Sequence, residues 1–297
     1  MAWRTVYLEQ QTKLWLSRNN LCFYHDEAEL SVPIEDIDTL IIDNHGTKIT
    51  TNLIDALANQ DVAIIVCDSS HLPSTVILPY AKHSRQAKIC SDQLKMRQPI
   101  RKQLWQKNII QKIINQSEVL KRFSLEYSEL VRLSGLVKSG DTSNCEALAA
   151  RIYFNQLLSD STRRKPTWYN SALDYGYSIV RSCIARSVAS HGLIASLGIF
   201  HHNELNNFNL VDDLIECYRP FVDFYVLRTV RVRHIGEESD ENLSKEDRIL
   251  ITQVINENLK IRNLSYSIKH GIDITVESFI AAFQNENISM FELPEFC

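Results

Sequence analysis

The chain has 297 residues, about 44% hydrophobic and 23% charged, an ordinary globular balance that excludes a mostly disordered protein. Eight glycines and seven prolines leave few obligatory turns, which favours a largely helical protein over a long series of hairpins. The net charge of −4 is unevenly distributed: residues 81–165 carry 17 Lys and Arg against 7 Asp and Glu, whereas residues 1–80 carry 4 against 11 and residues 166–297 carry 11 against 18. A cationic middle between two acidic flanks is a candidate polyanion-binding face, or simply a Lys-rich helical surface.

The first eighty residues read as short strands at Thr5–Leu8, Lys13–Leu16, Leu21–Tyr24, Thr39–Ile42, Val62–Cys67 and Val76–Leu78. Ser17–Asn20 is suited to a hairpin turn. Thr50 or Thr51 is placed to cap one helix, with Leu53, Ile54, Leu57 and Ala58 at helical spacing. Near Pro79–Lys82 the apolar period changes to 3.6. Leu104, Trp105, Ile109 and Ile113 then share one face, with Lys102, Lys107 and Lys112 expected elsewhere. Segments 118–137, 145–159, 170–191, 206–218, 247–265 and 273–284 also read as helices, and residues 235–244 as a polar, mobile loop. The expectation is an α+β protein: a small β-rich domain over 1–82 and a larger all-α domain over 83–297. No apolar run approaches the roughly 20 residues that span a bilayer, and the amino terminus lacks a signal-peptide pattern. Seven scattered cysteines with no Cys-x-x-Cys pair point to buried thiols in a reduced, cytoplasmic protein.

Two segments carry candidate chemistry. In Asn144–Phe154, residues Glu146, Ala149, Ala150 and Tyr153 fall on one helical face, so Glu146 is either favoured by the helix dipole or set inside a cleft. In Gly198–Pro220, adjacent His201 and His202 precede Asp212, Asp213 and Glu216. On one straight helix His201 and Glu216 would stand about 22 Å apart, so they can share an ion only if the chain turns, and Asn203–Asn207 is polar enough to be that turn. Imidazole with carboxylates suits Mg²⁺ or Mn²⁺ and phosphodiester chemistry. A capping His pair and a solvated acidic face account for the same residues equally well.

These segments resemble a known family. Glu146 in Glu-x-x-Ala-Ala-Arg-x-Tyr-Phe, Gly198-Ile-Phe-His201, Phe208, and Leu210-Val-Asp-Asp-Leu-Ile-Glu216 followed by Tyr218-Arg-Pro220 are similar to the motifs of the CRISPR-associated adaptation integrases, the universal "Cas one" family. Asn170-Ser-Ala-Leu-Asp-Tyr-Gly-Tyr177 resembles the segment between those motifs, and Gly46–Thr50 with Val62–Asp68 the strand–helix–strand unit of the β domain. Tyr218–Asp223 is similar to the type II branch. Ala147 and Cys217 stand where the family often has Gly and Pro.

The resemblance implies a metal-dependent integrase that inserts spacer DNA into a CRISPR array, each 3′-hydroxyl attacking a repeat phosphodiester. It implies Glu146, His201 and Glu216 as ligands of Mg²⁺ or Mn²⁺, with Asp213 supporting them. The implied partners are a protospacer duplex with single-stranded ends, CRISPR repeat DNA, and two homodimers joined through the β-rich domain and bridged by a small "Cas two" dimer. Other type II adaptation proteins are further possible partners. Expected DNA contacts are Arg85, Lys88, Lys95, Arg97, Arg101, Lys102, Arg163, Arg164 and Lys165, and Trp168 and Tyr169 are candidates for stacking on an unpaired base. A nuclease that hydrolyses branched or single-stranded DNA or RNA, and a non-catalytic DNA-binding scaffold, are the competing readings.

Overall fold

Hydrophobic burial organises the chain into two compact units, Met1–Ser84 and Arg85–Cys297, in a computed structural model that describes residues 4–25, 28–78, 83–158, 167–230 and 243–297. The first unit contains two four-stranded sheets. Strands β1 (Arg4–Leu8), β5 (Ile37–Ile42), β7 (Ala63–Cys67) and β8 (Pro73–Ile77) form one, in the order β1-β5-β7-β8. The first three strands run parallel and β8 is antiparallel to β7. Leu40, Ile41 and Ile42 are all buried, as are Ala63, Ile64 and Ile65. Such continuous burial is what parallel strands covered on both faces require.

The second sheet is β4-β3-β2-β6, from β2 (Lys13–Ser17), β3 (Asn20–His25), β4 (Ala28–Pro33) and β6 (Lys48–Ile49). β2 and β3 meet through Arg18 and Asn19, both at positive φ (49° and 62°), the two-residue turn whose twist matches a hairpin. Helix α1 (Thr51–Asn59) follows Thr50 and buries Leu53 and Leu57 in a core shared with Leu14, Leu21, Leu40 and Ile64. The apolar runs predict neither β4 nor β6, although the resemblance at Gly46–Thr50 covers β6. β4 is mostly exposed along its length and therefore lacks the apolar pattern that marks a strand.

The second unit is built around α3 (Gln98–Arg122) and α6 (Trp168–Ser190), with α2 (Gln86–Leu94), α4 (Ser128–Ser134), α5 (Cys145–Leu158), α7 (Asn209–Leu214), α8 (Arg219–Tyr225), α9 (Lys245–Thr252) and α10 (Ile268–Gln284). Leu104, Trp105, Ile109 and Ile113 of α3 are buried as the periodicity predicts. Gly176 of α6 allows close approach to α8 and α9: a Cβ there would stand 2.6 Å from Val222 Cγ1 and 3.3 Å from Ile251 Cγ2.

This unit is not purely helical. Segment 247–265, expected as one helix, is α9, a 3₁₀ turn and the hairpin β9 (Asn258–Ile261)–β10 (Leu264–Ser267). With β11 (Glu295–Phe296) these strands form a three-stranded antiparallel sheet. Segment 118–137 also divides, α3 ending at Arg122 and α4 starting at Ser128. Most of the expected loop at 235–244 lies outside the described residues. Its last residue, Ser244, caps α9 in a reciprocal box with Asp247. Cys22, Cys67, Cys145, Cys183 and Cys217 are buried free thiols, while Cys90 is half-buried and Cys297 exposed. Among the described residues, no helix is long and apolar enough to cross a membrane.

Candidate active site

Glu146 is the second residue of α5, whose start is closed by the Asp141 carboxylate accepting from the backbone N–H groups of Cys145 (2.9 Å) and Glu146 (3.0 Å). Glu216 follows α7 directly, in the turn that leads into α8. The helix start and the inter-helix turn bring both carboxylates to one cavity of about 410 Å³. α3 lines it with Lys112 and Gln116, α5 with Ala150 and Phe154, α6 with Asp174 and Tyr177, and α8 with Arg219 and Asp223.

Lys112 is the central cation. Its Nζ lies 2.6 Å from Glu146 Oε1 and 2.5 Å from Glu216 Oε2, and the residue is only 6% exposed. Burial opposes its charge, but the two carboxylates outweigh that and hold the ammonium more firmly protonated than usual. Glu216 also accepts from Arg219 Nε at 2.9 Å. Burial would raise the Glu216 pKa; Lys112 and Arg219 reverse this and bring it down to about 2. The expectation that Lys112 sits away from the apolar face is therefore corrected. Asn108, Lys112, Asn115 and Gln116 form a buried polar stripe along α3.

His201 lies in the irregular segment between α6 and α7. Its Nδ1 is 2.6 Å from Asp213 Oδ1. Asp213, with no exposed surface, also accepts from the backbone N–H groups of Ile199 (2.5 Å), Phe200 (2.9 Å) and His201 (3.2 Å). This places the proton on Nδ1 and leaves the Nε2 lone pair as the one that could hold a metal ion. The Asp213 hydrogen bond raises the His201 pKa against the opposing effect of burial, and the charges of Asp213, Glu216 and Glu146 add to the rise. Gly198 is required for this turn, because a Cβ would stand 2.3 Å from His201 O and 2.8 Å from Asp213 Oδ2.

His201 does not line the cavity that holds the two glutamates. Among the described residues, no three His, Cys, Asp or Glu side chains are gathered into a ready-made metal cluster. Asp212 is engaged away from the cavity: Arg181 Nε is 2.6 Å from Oδ1 and Asn206 Nδ2 is 2.6 Å from Oδ2. Tyr153 and Tyr177 both donate their hydroxyls to buried Asp223, and Arg219 lies over the Tyr177 ring.

The basic residues separate by use. Arg85, Lys88, Lys95, Arg97 and Lys102 are exposed, although Lys88 pairs with Asp92 (2.8 Å) and Arg97 with Glu286. Arg101 does not present its guanidinium as the sequence reading expected. Its nitrogens reach the carbonyls of Met96 (3.2 Å), Gly198 (2.7 Å) and Gln93 (3.2 Å), pinning the turn that leads to His201. Arg163, Arg164 and Lys165 lie outside the described residues. Trp168 is buried and donates its indole N–H to Asp247, so it offers no stacking face; Tyr169 is half-buried.

A family model described as CRISPR associated protein Cas1 matches residues 6–258. A protein of Neisseria meningitidis serogroup C named CRISPR-associated endonuclease Cas1 is 36% identical, over 99% of this chain and 97% of its own length. A Francisella tularensis subsp. novicida protein, CRISPR-associated endonuclease Cas1 1, is 25% identical over 81% of this chain and 82% of its own. Among solved structures, a casposase bound to integration product superposes with a TM-score of 0.77 at 16% identity, covering 96% of this chain and 91% of that one. A CAS1 protein from Thermotoga maritima gives a TM-score of 0.75 at 18% identity, covering 95% and 97%.

Proposed function

Because the chain belongs to the CRISPR associated protein Cas1 family, we propose that it is a metal-dependent DNA integrase. In this reading it joins the 3′-hydroxyl ends of a spacer duplex to phosphodiesters of a CRISPR repeat. The observation that carries the reading is the convergence of Glu146 and Glu216, from different elements, on one cavity, with Asp213 orienting His201 nearby. Two carboxylates and an imidazole are the donor set that Mg²⁺ or Mn²⁺ takes, and Glu146, His201 and Glu216 would hold the ion. When bound, it would polarise a phosphoryl oxygen and stabilise the leaving oxygen.

The chain's own residues supply the rest. Lys112 and Arg219 keep Glu216 ionised. Asp213 keeps the His201 proton on Nδ1. Arg219 holds Glu216 through Nε and sits over Tyr177 on the cavity wall, where its remaining guanidinium N–H groups would meet a phosphate. The proposed assembly is a pair of homodimers, joined through the β-rich unit and bridged by a small partner dimer, with type II adaptation proteins alongside. Two neighbours in solved structures support the DNA and the small partner alone: a Cas6-RT-Cas1--Cas2 complex (TM-score 0.73, 20% identity, 98% of this chain and 36% of that one) and a TtCas1-DNA complex (TM-score 0.54, 15% identity, 97% and 91%).

The relatives' name, endonuclease, favours a second reading in which water replaces the 3′-hydroxyl. One experiment separates the readings: a fork-ended duplex and a repeat-bearing plasmid are incubated with the protein, with and without its partner, in Mg²⁺, Mn²⁺ or EDTA. Joined product that requires metal and is lost in Glu146→Ala, His201→Ala and Glu216→Ala supports integration. Cleavage without joining supports hydrolysis. Binding with no reaction leaves a DNA-binding scaffold.

A further inference from the structure

Phe200 is an exposed aromatic anchored at both its backbone and its ring. Its backbone N–H is fixed on Asp213, and one ring face lies against the buried indole of Trp105 on α3, with centroids 4.4 Å apart and planes inclined by 1°. Yet the residue is 46% exposed while Trp105 is 1% exposed. A ring covered on one side by a parallel indole shows its opposite face to solvent. The His201 imidazole stands edge-on to both rings, 5.5 Å from Phe200 and 5.8 Å from Trp105.

We propose that Phe200 is a stacking platform for an unpaired nucleobase of the DNA strand entering the site. The proposal rests on the DNA reading above and specifies where that strand is gripped. A flat π-face accepts any base, so the platform positions a strand end without reading its sequence. The ring stands beside the His201 imidazole, and the backbone N–H groups of Phe200 and His201 bond the same carboxylate. The indole beneath keeps the ring from rotating away when a base arrives. The stacking role that the sequence suggested for Trp168 and Tyr169 passes to Phe200.

The test crosses the ring with the base. Affinities are measured for forked duplexes whose unpaired 3′ strand carries a natural or an abasic nucleotide, moved one position at a time, in Mg²⁺. The proteins are the parent, Phe200→Tyr and Phe200→Leu; leucine still covers Trp105 but has no π-face. At one position the parent and Phe200→Tyr should prefer the natural nucleotide by about 5- to 100-fold. Phe200→Leu should bring that ratio close to one while its thermal midpoint stays with the parent. An unchanged ratio in Phe200→Leu, or no such position in a parent that joins DNA, overturns the platform and leaves the integrase reading standing. A parent that binds no DNA overturns both.

Discussion

A carboxylate with no solvent contact is costly unless its oxygens are satisfied. Asp213 meets that condition with three backbone N–H groups and one imidazole, so the same bonds that satisfy its oxygens also aim His201. In the metal-free protein, His201 should therefore titrate above its ordinary value of 6.5. Its bond to Asp213 then contributes stability that is fully present below pH 6.5 and is lost as pH rises through the elevated value. An NMR titration checks this, and a midpoint at or below 6.5 would contradict it. Lys112 is the other decisive residue. Lys112→Met leaves two carboxylates facing each other without their cation, and removing one partner of a buried pair costs about 3–5 kcal/mol. Urea unfolding should show that loss, and adding Glu216→Gln to the same chain should reduce it. Glu146, His201 and Glu216 were legible as a motif, whereas Lys112 was not, because lysine is the residue least expected inside. The available signal was its i, i+4 spacing from both Asn108 and Gln116, which together trace a polar stripe.

At the scale of elements, close packing explains residues that a motif only names. Gly176 lies where α6 meets α8, and Gly176→Ala would drive a methyl into Val222. Overpacking of this kind costs about 1–3 kcal/mol, measurable as a fall in unfolding midpoint. Val222→Ala in the same chain should restore part of it. α6 is buried on most of its surface and reads as helix by its length, whereas periodicity makes α1 and α10 readable because each buries one apolar face. The hairpin β9–β10 was missed for the opposite reason. Its turn is Arg262–Asn263, both at positive φ (52° and 63°), the same residue pair that turns β2 into β3. The strands around it, Asn258–Ile261 and Leu264–Ser267, are half polar, whereas Leu14–Leu16 and Leu21–Tyr24 around Arg18–Asn19 are continuous apolar runs that mark strands. Asn203–Asn207 was read correctly as the polar break before α7, but how His201 is presented depends on Gly198, Arg101 and Asp213, which only the fold brings together.

Over the whole molecule, the basic middle of the chain is partly consumed in holding the structure. Arg101 is spent on carbonyls and Lys112 on carboxylates, while Lys95 and Lys102 remain exposed. Reversing Lys95 and Lys102 to Glu should weaken duplex binding uniformly across sequences. Each phosphate that is no longer neutralised should flatten the log–log salt dependence by about 0.9. Identical salt slopes for mutant and parent would remove this face from the DNA path. Arg101→Glu should instead lower the unfolding midpoint, because it releases the turn before His201. In the proposed site Glu146, His201 and Glu216, carried by three separate segments, hold one divalent ion together. Calorimetric titration of the metal-free protein with Mn²⁺ tests it most directly, with unfolding midpoints recorded for every variant. One ion per chain is expected, with binding at least tenfold weaker in folded Glu146→Gln, His201→Ala and Glu216→Gln alike. Undiminished binding in any one of the three, with the fold intact, would contradict it.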